Sequence, residues 1–208
     1  MGLKERRERE KEARKKQILD AARKLLFKKG LQATSINQIA RTAELGIGTI
    51  YFYYQSKEDI FASLQEEGLE ILFRNIEALT KTELYPEDQL RQTAAAYLTF
   101  SIEQKDYFDI INYFLSSPQV MFEPDLKSQV DLKGGRIVSL IIGFIESGMA
   151  MGRFTAVDAR KFALAFWGAL YGLIQFRKLE KTVLDGEDHK AVFDYAVEQF
   201  IARLMADK

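Results

Sequence analysis

A chain of 208 residues, 47% apolar and 29% charged, has the balance of an ordinary globular protein and is long enough for one sizeable domain or two small ones. It holds no cysteine and one histidine, which excludes disulfides, thiolate metal sites, cysteine nucleophiles and any site that needs two histidines. Thirty Lys/Arg balance thirty Asp/Glu, yet residues 1–60 carry 14 Lys/Arg against 8 Asp/Glu, which leaves 16 against 22 for residues 61–208.

A basic first third on an acidic remainder points to a polyanion-binding module attached to a body with another task. Few prolines and glycines and a helical periodicity throughout predict an all-α protein of about nine helices. The run Leu3–Lys16, with eight Lys/Arg and four Glu, lacks the apolar stretch of a secretion signal and opens the first helix. Its pairs Glu5–Arg9, Glu10–Arg14 and Glu12–Lys16 stand in the favourable i, i+4 order, so it reads either as a solvated arm or as an extra phosphate clamp. Ile18, Ala22, Leu25 and Leu26 then share one helix face, and Gly30 stops the helix. Ser35 caps a short second helix, with Gln38 completing a capping box and Ile36, Ile39, Ala40 and Ala43 as its stripe.

Glu44-Leu45-Gly46 is a turn into a third short helix that carries Ile47, Ile50, Tyr51 and Tyr54. Ser56 and Asp59 cap a longer fourth helix striped by Ile60, Phe61, Leu64, Ile71, Leu72, Ile76 and Leu79. Pro86 opens a fifth helix, to about Gln104, and a sixth runs from about Asp106 to just before Pro118. Pro124 opens a seventh, ending near Gly152. Thr155 and Asp158 cap an eighth, to about Lys181, and the ninth covers roughly Glu187 to Ala206. The longest apolar run, Phe162 to Ile174, is too short to span a bilayer, so a cytoplasmic protein without a membrane partner is expected.

Two short helices joined by a glycine-containing turn have helix-turn-helix spacing. The block Gly48-Thr49-Ile50-Tyr51-Phe52-Tyr53-Tyr54-Gln55-Ser56-Lys57-Glu58 sharpens that reading. Here the chain resembles the tetracycline-repressor (TetR/AcrR-type) family of bacterial transcriptional regulators. The likeness extends back through Gly30, Thr34, Ser35, Ile39, Ala40 and Ala43, about 45 residues in all. It departs from the family at Glu44, where glycine is usual, and at Gly46, where a capping serine is common.

The residues carry their own chemistry. Gly48 lets a helix backbone come close to DNA. Thr49 offers a hydroxyl and a methyl, Tyr51 and Tyr53 offer stiff hydroxyl donors, and Lys57 stands near a helix N-terminus that itself favours phosphate. The resemblance implies a DNA-contacting set of Ser35, Asn37, Ile47, Gly48, Thr49, Tyr51, Tyr53 and Lys57, of which Asn37 and Ile47 are the candidates for base reading. Periodicity alone would also allow Ile47 and Tyr51 as core residues.

The expected division is 1–56 as the DNA-binding head, with residues 1–16 as its basic arm, and 57–208 as a ligand-binding and dimerisation body reached through the fourth helix. That body holds most of the aromatics, which plain core packing explains in the main. The resemblance implies a pocket for a small effector, with Tyr97, Phe100, Phe108, Phe114, Phe144 and Trp167 as its expected lining. Asn112, Gln104, Arg136 and Gln175 are the few polar candidates, which leans the ligand towards a mainly apolar one, an acyl chain or an aromatic compound. The resemblance also implies a homodimer through the eighth and ninth helices, with Phe162, Phe166, Leu170 and Leu173 as the contacting stripe beside Ala165, Gly168, Ala169 and Gly172, internal packing of that stripe against the seventh helix being the alternative.

No enzyme, metal or cofactor is expected. The one histidine, His189, follows a polar stretch and reads as an exposed loop or cap residue, and the residue three before it is glycine rather than the glutamate of a carboxylate-bridged metal bundle. The expectation is a ligand-responsive regulator, a repressor that binds a palindromic operator as a homodimer. A helical carrier of apolar ligands with no DNA target is the alternative.

Overall fold

The computed structural model describes residues 2–30, 33–116 and 124–205. Among them lie nine α-helices: α1 (Leu3–Lys29), α2 (Ile36–Thr42), α3 (Ile47–Tyr53), α4 (Lys57–Glu77), α5 (Pro86–Glu103), α6 (Lys105–Ser116), α7 (Pro124–Ala150), α8 (Ala159–Phe176) and α9 (His189–Leu204). Tight 3₁₀ turns follow α4 at Ala78–Lys81 and α8 at Arg177–Leu179. Among the described residues no helix is long and apolar enough to cross a membrane.

Local chemistry sets most of the boundaries. The Ser35 hydroxyl accepts from the Gln38 amide at 3.4 Å, and the Gln38 side chain accepts from the Ser35 amide at 3.2 Å. Ser56 and Asp59 make the same reciprocal pair ahead of α4, at 3.1 and 3.2 Å. Pro86 begins α5, where its missing N–H costs nothing. Asp158 alone caps α8, accepting from the Lys161 amide at 2.9 Å. Thr155, expected to share that task, instead gives its N–H to the Leu204 carbonyl at 2.7 Å. The regular part of α8 also stops at Phe176 rather than near Lys181, because the polar run beyond it offers no apolar stripe to pack.

The chain forms two compact units. The first is Met1–Gly68 with Asp106–Asp131, and so holds α1, α2, α3, the first half of α4, α6 but for its first residue, and the start of α7. Its core includes Ile18, Ala22 and Leu26 of α1, Ile39 of α2, Ile50 of α3, Phe61 and Leu64 of α4, and Phe108 and Ile111 of α6. At seven residues each, α2 and α3 are far below the length at which a helix stands alone, so this core is what holds them. Gly68 lets α4 meet α6: a Cβ there would lie 2.8 Å from the Tyr107 Cβ. Beside that contact a polar clasp ties three helices. Arg23 of α1 donates to both Asp20 and the Tyr107 hydroxyl, which in turn donates to Glu67 of α4 at 3.0 Å. Burial, with the Glu67 carboxylate next in importance, holds the Tyr107 phenol above its ordinary range.

The second unit is Leu69–Lys105 with Leu132–Lys208. Phe100, Ile141, Ile145, Phe166, Leu170 and Phe193 fill its centre. Arg91 of α5 grips Glu198 of α9 with two bonds at 2.7 and 2.8 Å. Arg153 pairs with the buried Glu87 and lies over the Tyr85 ring, 3.9 Å from its centroid. Its guanidinium holds the Glu87 carboxyl below the usual range. Gly148 is in close contact with the Phe154 ring, where any Cβ would overlap. His189 corrects the expectation of an exposed residue: it is buried at the first position of α9, with Nε2 2.8 Å from the Leu173 carbonyl. Asp188 does the capping instead, accepting from the Ala191 amide at 2.9 Å.

Candidate nucleic-acid interface

The third helix is built around one anchor. Ile50 is fully buried, and Tyr54, which ends α3, is nearly so. A helix turns 100° per residue, so the positions opposite Ile50 are Gly48 and Phe52, with Thr49 and Tyr51 on the flanks. Exposure follows that geometry: Phe52 is 80% exposed, Tyr51 54% and Ile47 46%. Ile47 and Tyr51 are therefore surface residues here, and the core reading that periodicity allowed does not hold. Nothing lies within 4 Å of where a Cβ on Gly48 would point, so the backbone of α3 is open to a close partner.

Ser35 and Asn37 are exposed at the start of α2. Thr49 and Tyr53 are half-buried, and the Tyr53 ring meets Phe52 edge-on at 5.0 Å. Lys57 opens α4 with its ammonium 5.9 Å from the centroid of the Phe61 ring. Of the eight expected contact residues, none is buried. Phe52 was missed, although its place opposite Ile50 is readable from period alone.

The turn between α2 and α3 carries strain. Glu44 has φ of 54°, a left-handed conformation that glycine adopts freely and a residue with a Cβ does not. Gly46 stands at the cap of α3 without a side chain to accept the free amides. The Gln17 amide of α1 braces this turn by donating to the Ala43 carbonyl at 2.7 Å. Beside that bond an open cleft of about 390 Å³ runs between Lys16, Asp20 and Lys24 on one side and Thr42, Ala43 and Glu44 on the other.

The residues expected around an effector are divided. Tyr97 stacks on Trp167 in the second unit, ring centroids 4.3 Å apart and 24° from parallel, and burial pushes its phenol well above the ordinary range. Phe100 and Phe144 are buried in that same unit, and Phe144 borders an open cleft of about 290 Å³ with Thr80, Gln89 and Ser139. Phe108 belongs to the first unit, and the Phe114 side chain lies outside the described residues. Asn112 is buried, and Gln175 is half-buried with an amide nitrogen that finds no hydrogen bond. Arg136, expected as a buried polar group, is on the surface, where it lies 3.6 Å over the Phe73 ring and bonds Glu70 at 3.0 Å. Gln104 is half-buried at the end of α5. Gln65 was overlooked, being a polar residue four after Phe61 on the apolar face of α4. It is buried, and its side-chain oxygen has no partner.

The stripe expected at a dimer contact faces inward for the most part. Phe166 and Leu170 are 1% exposed, and the rings of Phe162 and Phe166 pack against Phe200 of α9 at 5.7 and 5.5 Å. Leu173 is half-buried. The outward line of α8 is instead Leu164, Gly168 and Phe176.

Comparison with known proteins adds to this geometry. Residues 18–64 match the family model described as bacterial regulatory proteins, tetR family, and residues 90–200 match a tetracyclin repressor-like C-terminal domain. A fatty acid metabolism regulator protein of Bacillus subtilis is 27% identical over 155 residues, covering 74% of this chain and 78% of its own. The HTH-type transcriptional regulator RutR of Escherichia coli O157:H7 is 23% identical over 203 residues, 94% of this chain and 90% of its own. Among solved structures, FadR from Bacillus subtilis in complex with stearoyl-CoA has a similar fold, with a TM-score of 0.74 at 18% identity over 90% of this chain and 98% of that one.

Proposed function

Because the chain belongs to the tetR family of bacterial regulatory proteins and is a transcriptional regulator, we propose that it is a repressor whose homodimer binds a palindromic operator and releases it to a mainly apolar ligand. The observation that carries the DNA half is the outward face of α3. An open glycine backbone and an exposed aromatic set opposite a single buried isoleucine, with two exposed or half-exposed hydroxyl residues on their flanks, make a surface suited to a DNA groove. Ser35, Asn37 and Lys57 then supply contacts from the starts of α2 and α4, where backbone amides also favour phosphate.

For the effector we favour a long-chain fatty acyl thioester. The support is the fatty acid metabolism regulator among the relatives and the aromatic core of the second unit, where Trp167 lies on Tyr97. An effector that lifts the protein from DNA must bind the released state more tightly, since equal affinity would shift nothing. For the dimer, the support is the exposed line Leu164, Gly168 and Phe176 of α8, whose small central residue allows close helix approach.

The test begins with selection of duplexes from a random library by the purified protein. A recovered inverted repeat with half-sites about one helical turn (~34 Å) apart or somewhat more is the expected outcome. Stearoyl-CoA should then quench or shift Trp167 fluorescence and weaken operator binding in the same titration, with the reciprocal effect of DNA on the ligand. Stoichiometric ligand binding with operator affinity unchanged would overturn the effector assignment. Leu164→Glu should sediment as a folded monomer, and a variant that stays dimeric would move the interface elsewhere.

A further inference from the structure

The reading of the chain as an operator-binding protein leaves the first half of α1 without a task. From Lys4 to Lys16 every side chain is exposed except that of Lys15, which is half-buried, and the first core residue is Ile18. That is about 20 Å of helix at 1.5 Å per residue, with Ala13 its only apolar member. No core holds it. Its own ladder does, through Arg6–Glu10 at 3.1 Å, Lys11–Glu8 at 3.5 Å and the Gly2 amide on Glu5 at 3.0 Å, all of them exposed.

The cations are not spread evenly around this helix. Lys4, Arg7, Lys11 and Arg14 follow at spacings of three, four and three, which puts them on one stripe. The same spacing continues to Ile18, Ala21 and Leu25, the line along which α1 packs into its unit. Glu8 and Glu10 flank the stripe, about 80° to either side of its centre, and Glu5 and Glu12 lie towards the opposite face. Along the stripe, cations stand where a coiled-coil partner would need apolar residues, so a second copy pairing there would set positive charge against positive charge. The complementary partner is a polyanion. The arm leaves the folded unit at Gln17, whose amide holds the Ala43 carbonyl in the turn just before α3. Four cations over about 15 Å of helix suit a duplex strand that offers a phosphate every ~3.4 Å.

We propose that Lys4, Arg7, Lys11 and Arg14 form a second DNA-binding surface, which engages backbone phosphates next to the site read by α3. The proposal rests on the operator-binding reading, and its test separates the two. Binding of the full-length protein to a fluorescent random-sequence duplex of about 40 base pairs is measured by anisotropy across a salt series. The quadruple variant K4Q/R7Q/K11Q/R14Q should bind at least tenfold more weakly and flatten the plot of log affinity against log salt by 2–4 per protomer, at about 0.9 per lost phosphate contact. A second variant, R7E/E8R/K11E/E12K, keeps the net charge but turns two cations 100° off the stripe, and should lose about half as much slope. Both should keep the wild-type melting point, because the arm contributes nothing to the core. An unchanged slope in either variant, while Lys57→Ala still flattens it, would overturn the arm and leave the α3 face standing. Failure of the wild type to bind any duplex would bring down the operator reading with it.

Discussion

Replacing Tyr107 by phenylalanine removes one oxygen and keeps the buried ring. That oxygen accepts from Arg23 and donates to Glu67 at 3.0 Å, so the change deletes two hydrogen bonds to charged groups. A bond to a charged group contributes about 1.5–3 kcal/mol when fully buried. Here both charged partners are half-buried, and water can take over part of each bond. Losing a buried hydroxyl also returns some of the cost of drying it. The net expectation is a destabilisation of about 1.5 kcal/mol, or roughly 3–6 °C in melting temperature for a chain of this size. Urea unfolding followed by far-ultraviolet circular dichroism measures the first, and a thermal melt the second. Arg23→Met, alone and combined with Tyr107→Phe, completes a double-mutant cycle in which a coupling of about 0.5–1 kcal/mol is expected. Single effects that add to within about 0.3 kcal/mol would show that the clasp does not act as a unit.

Glu44→Gly relieves a left-handed residue and removes a carboxylate beside the helix-turn-helix. It should raise stability by about 0.5 kcal/mol and strengthen duplex binding, and a lower urea midpoint would contradict the strain argument. Gly148→Ala drives a methyl into the buried Phe154 ring and should cost about 1–3 kcal/mol in the same assay. Burial pushes the Tyr54 phenol up to about 12, above its unfolded value of about 10. The folded state therefore holds that proton more tightly, and its contribution is whole below pH 10 and lost as pH climbs towards 12. Unfolding midpoints at pH 9 and 11.5 should diverge less in Tyr54→Phe than in the wild type. For the carboxyl of Glu87, held low by Arg153, the sign reverses: stability present above the ordinary carboxylate range is lost as pH falls through and below it, and Arg153→Met should remove that acid-side loss.

What could be read from sequence was what is decided within a turn of chain. Ser35 with Gln38, Ser56 with Asp59, and Pro86 set helix starts by bonds that span three or four residues, so their spacing suffices. Distant partners are another matter. His189 is buried because a carbonyl sixteen residues earlier, on Leu173, meets its ring, and the polar residues before it gave no hint of that. Periodicity put Phe162, Phe166, Leu170 and Leu173 on a shared face of α8 but could not say whether that face packed within the chain or met a second molecule, and the internal partner proves to include Phe200 of α9 rather than the seventh helix alone. Arg136 looked like a buried polar group in an apolar helix, yet the Phe73 ring and Glu70 let it lie flat on the surface. The exposed face of α3 was legible because the helix has only one deeply buried position to orient it. Phe52 shows that the same logic, applied to every residue of the helix, would have found one more.

The unit that carries α3 is assembled from two stretches of chain, with α6 coming some forty residues after α4 leaves it. During synthesis from the N-terminus, the first 68 residues emerge without Phe108 and Ile111 to cover them and without Tyr107 to receive Arg23. A nascent chain cut off there has α1, α2 and α3 complete in its sequence but an apolar flank still open to solvent. Completion of that unit therefore waits on translation through α6 and the start of α7, and a fragment ending at Gly68, with the flank that Phe108 and Ile111 cover left open, should be prone to aggregation.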